Sequence, residues 1–271
     1  MQFLIHIQQG KKFILHNMKR VDLNADIGES FGSYKLGYDE EIVKYISSAN
    51  IAMGFHAGDH NWIKKTVDLS LEHKVSIGAH PSYPDLAGFG RREMSMTYEE
   101  IENLIKYQVG ALIGFVGLEN ISHVKPHGAL YNKAVKDEIT AKAIISSIKS
   151  ISKNLIHVVL AGSLWEQIAS DSGVNISRET YADREIMSDG SLCPRSVKGS
   201  VIEDPQRIVK RTLQMVKNNE VETFDGKKIE IDFDSICLHG DTKGSVQIAK
   251  SIKKSFEENN IIISSMSDVI L

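Results

Sequence analysis

VDLNAD, residues 21–26, alternates apolar and polar side chains, so Asp22, Asn24 and Asp26 share one face of any strand formed there. The segment RVDLN reads as the first strand, and YDEEIVKYISS (38–48) as a helix with acids in its first turn. The same alternation then repeats down the chain. ANIAMGF (49–55) precedes the helical pattern at 61–74, and VSIGAH (75–80) precedes a helix over 97–116. Thr97 and Glu100 stand three apart at its start, the spacing of a capping box. ISHVKPHG (121–128), NLIHVVLAG (154–162), NISRETYADR (175–184) and SICLHGD (235–241) read as further strands. Helical patterns at 137–152, 163–173, 204–219 and 245–258 separate or follow them, and IIISSM (261–266) ends the series. Residues 221–232 read as a hairpin about Asp225-Gly226.

Strictly alternating strands and helices predict a parallel sheet in an α/β protein. Neither GxGxxG after the first strand nor GxxxxGK[ST] is present, which removes the ordinary dinucleotide and P-loop sites. A single closed (β/α)7–8 barrel over residues 18–271 is favoured over an open doubly wound sheet, and 271 residues suit it. Residues 1–17 read as an N-terminal extension, either a β-hairpin or the product of an upstream start, with Met18 as the alternative first residue.

Lys and Arg number 32 against 35 Asp and Glu, interspersed, so no basic footprint points to nucleic acid or an anionic membrane. Two cysteines outside any CxxC pair argue against a disulfide framework and fit a reducing cytoplasm.

Polar residues gather where the strands end. The first strand leads to Asp22, Asn24 and Asp26, the second to His56, Asp59 and His60, and the third to His80. Lys125 and His127 follow the fourth strand, Asp183 and Arg184 the sixth, and His239 and Asp241 the seventh. In a parallel barrel these ends converge on one face, where active sites are built. His123 and His157 begin strands and His73 ends a helix, which suits structural roles. Four strand-end histidines beside carboxylates predict an enzyme. They could hold a divalent metal, with Asp22, His56, His80 and His127 as candidate ligands. They could equally move protons while Arg91, Arg92, Lys125 and Arg184 hold an anion. Within GAHPSYPDLAGFGRR (78–92), Ser82 to Gly90 is too long for a tight turn and reads as a cover over this face, with Gly88 and Gly90 allowing it to bend.

VDLNADIGESFGSY, NIAMGFHAGDH, GAHPSYPDLAGFGRR, VKPHGALYN, ETYADREIMSDGSLCPR and CLHGD together resemble the LamB/YcsF family from about Lys19 to Leu271. The resemblance implies a barrel of the polysaccharide-deacetylase and glycoside-hydrolase type. It also implies ATP-dependent opening of the 5-oxoproline lactam to L-glutamate, performed with two partner subunits, B and C. ATP and a divalent ion such as Mg2+ are the cofactors it suggests. Asp22, Asn24, Asp26, His56, His80, Lys125, His127, Asp183, His239 and Asp241 are then the catalytic candidates. Met53 stands where the family commonly has Cys, and His60 where it commonly has Pro, which weakens His56–His60 as a shared metal pair. The D-x-N-x-D motif also differs from the paired aspartates of deacetylases, so their metal site does not carry over whole. A stand-alone metal-dependent deacetylase or amidohydrolase is the alternative, and a non-catalytic protein that only presents substrate is the third reading.

Overall fold

The computed structural model describes residues 18–240 and 244–270, so the expected N-terminal extension and Asp241 lie outside the described residues. Seven parallel strands close a barrel: β1 (Arg20–Ile27), β2 (Ser48–Ala52), β3 (Ser76–His80), β4 (Ile121–Val124), β5 (Ile156–Leu160), β6 (Ile176–Tyr181) and β9 (Ser235–Cys237), with β9 pairing both β6 and β1. β7 (Glu220–Glu222) and β8 (Lys228–Glu230) form the expected antiparallel hairpin, and β10 (Ile262–Ile263) adds to the lower end of β1. Helices lie between the barrel strands. Among them, Tyr98–Val116 carries the complete Thr97–Glu100 capping box, and Asp59, Asp137, Ser163 and Asp204 cap four others. Every residue of β2 and β5 is buried, as expected for strands covered on both faces. None of the described helices is long and apolar enough to cross a membrane.

The strands divide the barrel into two chemistries. Leu23, Ala25, Ile27, Ala49, Ile51, Ile77, Ala79, Val124 and Ile236 belong to the apolar layer shared with the helices. Their neighbours in sequence turn into the lumen, where a parallel barrel usually stacks branched apolar side chains. Here the lumen is polar. At its base Asp22 accepts hydrogen bonds from Ser47 (2.7 Å), Ser48 (2.5 Å) and Ser235. One layer up, Asn24 Nδ2 donates to Glu179 Oε1 (3.0 Å) and Ser235 Oγ (2.7 Å), while Asn50 Nδ2 donates to Asn24 Oδ1 (2.7 Å). His123, buried as expected of a structural histidine, places Nε2 2.8 Å from Asn50 Oδ1. Such a network is stable only because nearly every member finds a partner.

One departure from the sequence reading matters for the site. The fourth strand ends at Val124, short of the expected Gly128, and the short helix Gly128–Ala134 follows it. Gly128 has φ +55°, and a Cβ there would stand 2.6 Å from Gly90 O, so only glycine admits this crossing of two loops. Cys193 and Cys237 are both free and buried, in line with the absence of a disulfide framework.

Candidate active site

At the strand C-termini a cavity of about 650 Å³ opens, lined by residues from four barrel strands and the loops that follow them. Glu29, His80 and His127 on its lining form a compact cluster with the fully buried His56. Glu29, His56, His80 and His127 each offer a ligand atom, and these atoms all lie within 4.8 Å of one another. His56 Nε2 is 3.3 Å from Glu29 Oε1, and the His56 and His127 rings stack at 3.8 Å.

The ring nitrogens of this cluster are oriented by the main chain. His80 Nδ1 is 2.6 Å from Lys125 O, and His127 Nε2 is 2.9 Å from Phe89 O. Carbonyls only accept, so both of these nitrogens carry hydrogen. The remaining nitrogens, His80 Nε2 and His127 Nδ1, then face each other at 2.9 Å as two lone pairs in the neutral tautomers. That contact is favourable only with a positive centre between them. Burial, and the neighbouring histidines, hold His56 and His127 well below the ordinary histidine value, which keeps them neutral with a lone pair to offer. Four converging donors, with imidazoles fixed by outer hydrogen bonds, fit a divalent cation of the zinc or first-row type.

Behind the cluster sits a buried ammonium. Lys125 Nζ contacts Glu179 Oε1 (2.9 Å), Asp26 Oδ1 (3.1 Å) and Asn24 Oδ1 (3.2 Å), and lies 5.5 Å over the Tyr181 ring. Burial alone would lower its pKa, but Asp26 and Glu179 outweigh it and hold Lys125 well above the usual value. Burial likewise pushes Asp26 up, and the neighbouring His80 and Lys125 outweigh it, keeping the carboxyl well below its ordinary value. Asp26 Oδ2 also reaches His80 Nε2 at 3.3 Å, so it couples the ammonium to the histidines.

Arg184 and His239 line the same cavity. His239 Nδ1 lies 2.9 and 3.0 Å from the two oxygens of Asp183, which fixes hydrogen on Nδ1 and leaves Nε2 as the basic atom. Arg91 lines the cavity with its guanidinium 4.8 Å over the Phe89 ring.

The structure therefore brings Asp26, His56, His80, Lys125, His127, Asp183, Arg184, His239 and Arg91 to one region. It separates others. Asp22 sits on three serine hydroxyls at the base of the lumen, outside the histidine cluster, so its candidacy as a metal ligand is replaced by that of Glu29. Asn24 lies beneath Lys125 and orients its neighbours without lining the cavity. Arg92 is 67% exposed and paired with Asp85, away from the lining. His60 opens the helix His60–Glu72 on the surface, and Asp59 is spent on that helix's first N–H groups. The loop 81–97 does cover the cluster, but it is tied down by Phe89 O at His127 and by Ala129 N donating to Gly90 O at 2.9 Å. A Cβ on Gly90 would stand 2.8 Å from both His127 Cδ2 and His56 Cβ, so this glycine serves close approach, where bending was expected.

Glu29, Glu179 and Arg195 were not among the sequence candidates. Glu179 carried a signal, because its spacing within RETY turns it into the lumen with Tyr181, whereas Glu29 and Arg195 lie in loops with no periodicity to mark them.

The LamB/YcsF family model matches residues 21–271. The 5-oxoprolinase A subunit of Pyrococcus furiosus is 49% identical over 253 residues, 93% of this chain and 99% of that protein. The crystal structure of the lactam utilization protein from Thermus thermophilus is 41% identical, with a TM-score of 0.86 over 91% of this chain and 99% of that one. The peptidoglycan deacetylase PdaC from Bacillus subtilis shares the fold at 11% identity, with a TM-score of 0.50 over 93% of this chain and 90% of that one. A match that runs the length of the barrel and includes every cluster residue makes the chain a member of the LamB/YcsF family.

Proposed function

We propose that this chain is the A component of an ATP-dependent 5-oxoprolinase, opening the 5-oxoproline lactam to L-glutamate together with partner subunits B and C. The observation that carries the reading is one cavity joining the Glu29–His56–His80–His127 cluster, the Lys125–Asp26 pair and the arginines, in a chain similar to 5-oxoprolinase A components over its barrel.

A lactam is an unactivated amide, so opening it near neutral pH needs help at the carbonyl. Transfer of the ATP γ-phosphoryl group to the amide oxygen makes the carbon a better electrophile. Water then bonds to that carbon and the ring C–N bond breaks, the nitrogen taking a proton to become the α-amino group; the γ-acyl phosphate left behind is hydrolysed by a second water to glutamate and phosphate. Arg91, Arg184 and Lys125 are the anion contacts for carboxylate and phosphoryl oxygens. His239, held by Asp183, is placed to take a proton from water and return it to the leaving nitrogen. Glu29, His56, His80 and His127 would hold a divalent cation, which when bound supplies positive charge beside the reacting carbonyl. Asp26 and Lys125 keep His80 oriented through their mutual ion pair.

The test is a 5-oxoproline turnover assay on the purified chain, with and without B and C and with and without ATP. Glutamate release is expected only with all of them present, and His127→Ala should abolish it while the circular dichroism spectrum stays that of the native chain. Full turnover by that variant would sink the placement. Amide or N-acetyl hydrolysis by the chain alone, without ATP, would instead establish the second reading, a metal-dependent deacetylase or amidohydrolase, which the cluster of four metal donors favours.

A further inference from the structure

His239 has both nitrogens occupied. Asp183 takes the Nδ1 hydrogen, and Arg195 Nη2 stands 2.8 Å from Nε2. A guanidinium only donates and stays charged, so Arg195 covers the one lone pair with which His239 could act as a base. The wall that should supply a proton acceptor is thus capped.

The cap is a weak use of an arginine. Among the described residues Arg195 makes this single hydrogen bond, to a neutral ring, and no carboxylate lies within ion-pair reach. Its neighbour Arg184 is 6% exposed, donates from Nη2 to Cys193 O at 2.6 Å, and has a buried Nε with no partner. Burial and the charge of Arg195 both lower the pKa of Arg184, a sign that the two guanidinium groups repel. Both line the same cavity as His239, with Arg91 and Lys136 also on its wall. Two arginines that have no ion-paired carboxylate among the described residues, one of them buried, form a built subsite for an oxyanion. A hydrogen bond from a cation to an anion is roughly twice as strong as one between neutral groups, and it exceeds one from a cation to a neutral imidazole.

We infer that Arg195 is an anion-operated gate on His239: a small oxyanion seated between Arg184 and Arg195 draws the Arg195 guanidinium off Nε2 and exposes that lone pair to the reacting centre. The anion is a carboxylate of the substrate or a phosphate, both of which two guanidiniums can take. The base is then uncovered only when the cavity holds its charged ligand, which prevents idle proton transfer. The inference rests on the cavity being the substrate site.

Diethyl pyrocarbonate acylates an imidazole nitrogen that has a free lone pair, so the rate of His239 modification, followed by peptide mass mapping, reads the gate directly. In the full-length chain His239 should react slowly. Arg195→Gln should speed it roughly tenfold or more, the size expected from removing one charged hydrogen bond. Inorganic phosphate or 5-oxoproline should accelerate modification in the wild type, the reverse of ordinary ligand protection, and pyrrolidin-2-one, the same lactam without a carboxylate, should not. Neither anion should accelerate it further in Arg195→Gln. Acceleration by phosphate but not by 5-oxoproline would keep the gate and count against the lactam reading of the cavity. Acceleration by 5-oxoproline alone would name the carboxylate as the trigger. Protection by both anions, or wild-type modification rates in Arg195→Gln, would overturn the gate whatever the turnover assay shows.

Discussion

His80 Nε2 and His127 Nδ1 face each other at 2.9 Å while the other nitrogen of each ring is committed to a main-chain carbonyl. Two lone pairs at that distance need a positive centre, and Glu29 and His56 bring two more donors than a shared proton requires. The chain should therefore bind one divalent transition cation. After stripping with a chelator, titration calorimetry with Zn2+ or Mn2+ should give a single site. A cation at a hundredfold excess over Kd should add roughly 2.7 kcal/mol of stability. Glu29→Gln should weaken binding at least tenfold, and unchanged affinity in that variant would remove Glu29 from the site.

The Lys125 ammonium is buried between Glu179 and Asp26, and its charge keeps both carboxylates tolerable inside the lumen. Lys125→Met should cost about 3–5 kcal/mol in urea unfolding, because it strands buried negative charge. Adding Glu179→Gln to that variant should recover part of the loss. If the double variant is less stable than the single one, the charge argument fails and the lysine stem is what mattered.

Much of this fold is legible in sequence because parallel strands buried on both faces are short apolar runs, and each is bounded by a capped helix. The site is legible only in part. Residues two apart share a strand face but differ in height, and at about 3.3 Å per residue Asp22 lies about 13 Å back along the strand from Asp26. Face alone therefore grouped Asp22 with the histidines, whereas height puts it among serines. Glu29 sits in the loop after β1, where no period marks it, and its role appears only once the ends of β2, β3 and β4 close around it. Arg92 and Arg91 are indistinguishable as neighbours in sequence. A carboxylate at Asp85, brought back by the loop, claims one of them.

Asp22 makes the polar lumen depend on pH. Burial pushes its carboxyl from 3.8 up to about 6, against the hydrogen bonds of Ser235, Ser48 and Ser47 that pull it down. Because the folded value is raised, folding favours the protonated form. Its contribution is complete below about pH 4 and is lost as pH rises through 6. By pH 7 roughly 2–3 kcal/mol is forfeited, from the size of the shift. Asp22→Asn does not titrate, so its stability relative to the wild type should climb by about that amount between pH 4 and pH 7. Urea unfolding at five pH values across this range checks it, and a flat difference would show that Asp22 is ionised throughout.

Gly78 leaves the room in which His123 lies. A Cβ at this position would fall 2.1 Å from His123 Nε2, and the ring is enclosed by the lumen with Nε2 on Asn50 Oδ1 and Nδ1 on Ser122 Oγ. Burial lowers the His123 pKa to about 3, so the ring stays neutral and its two hydrogen bonds persist at working pH. Gly78→Ala must then displace the ring, overpacking the lumen and leaving the Asn50 oxygen with one partner fewer. Overpacking costs about 1–3 kcal/mol and a broken buried hydrogen bond about as much again. A total of roughly 2–6 kcal/mol is expected in urea unfolding. Because Asn50 also donates to Asp26, at 2.8 Å, the disturbance should reach the site and lower turnover as well. Replacing His123 by Ala in the Gly78→Ala background makes space for the methyl group. The two changes should therefore be less harmful together than their sum, with a coupling of about 0.5–3 kcal/mol. Strict additivity would show that the alanine is refused for its backbone and not for the imidazole above it.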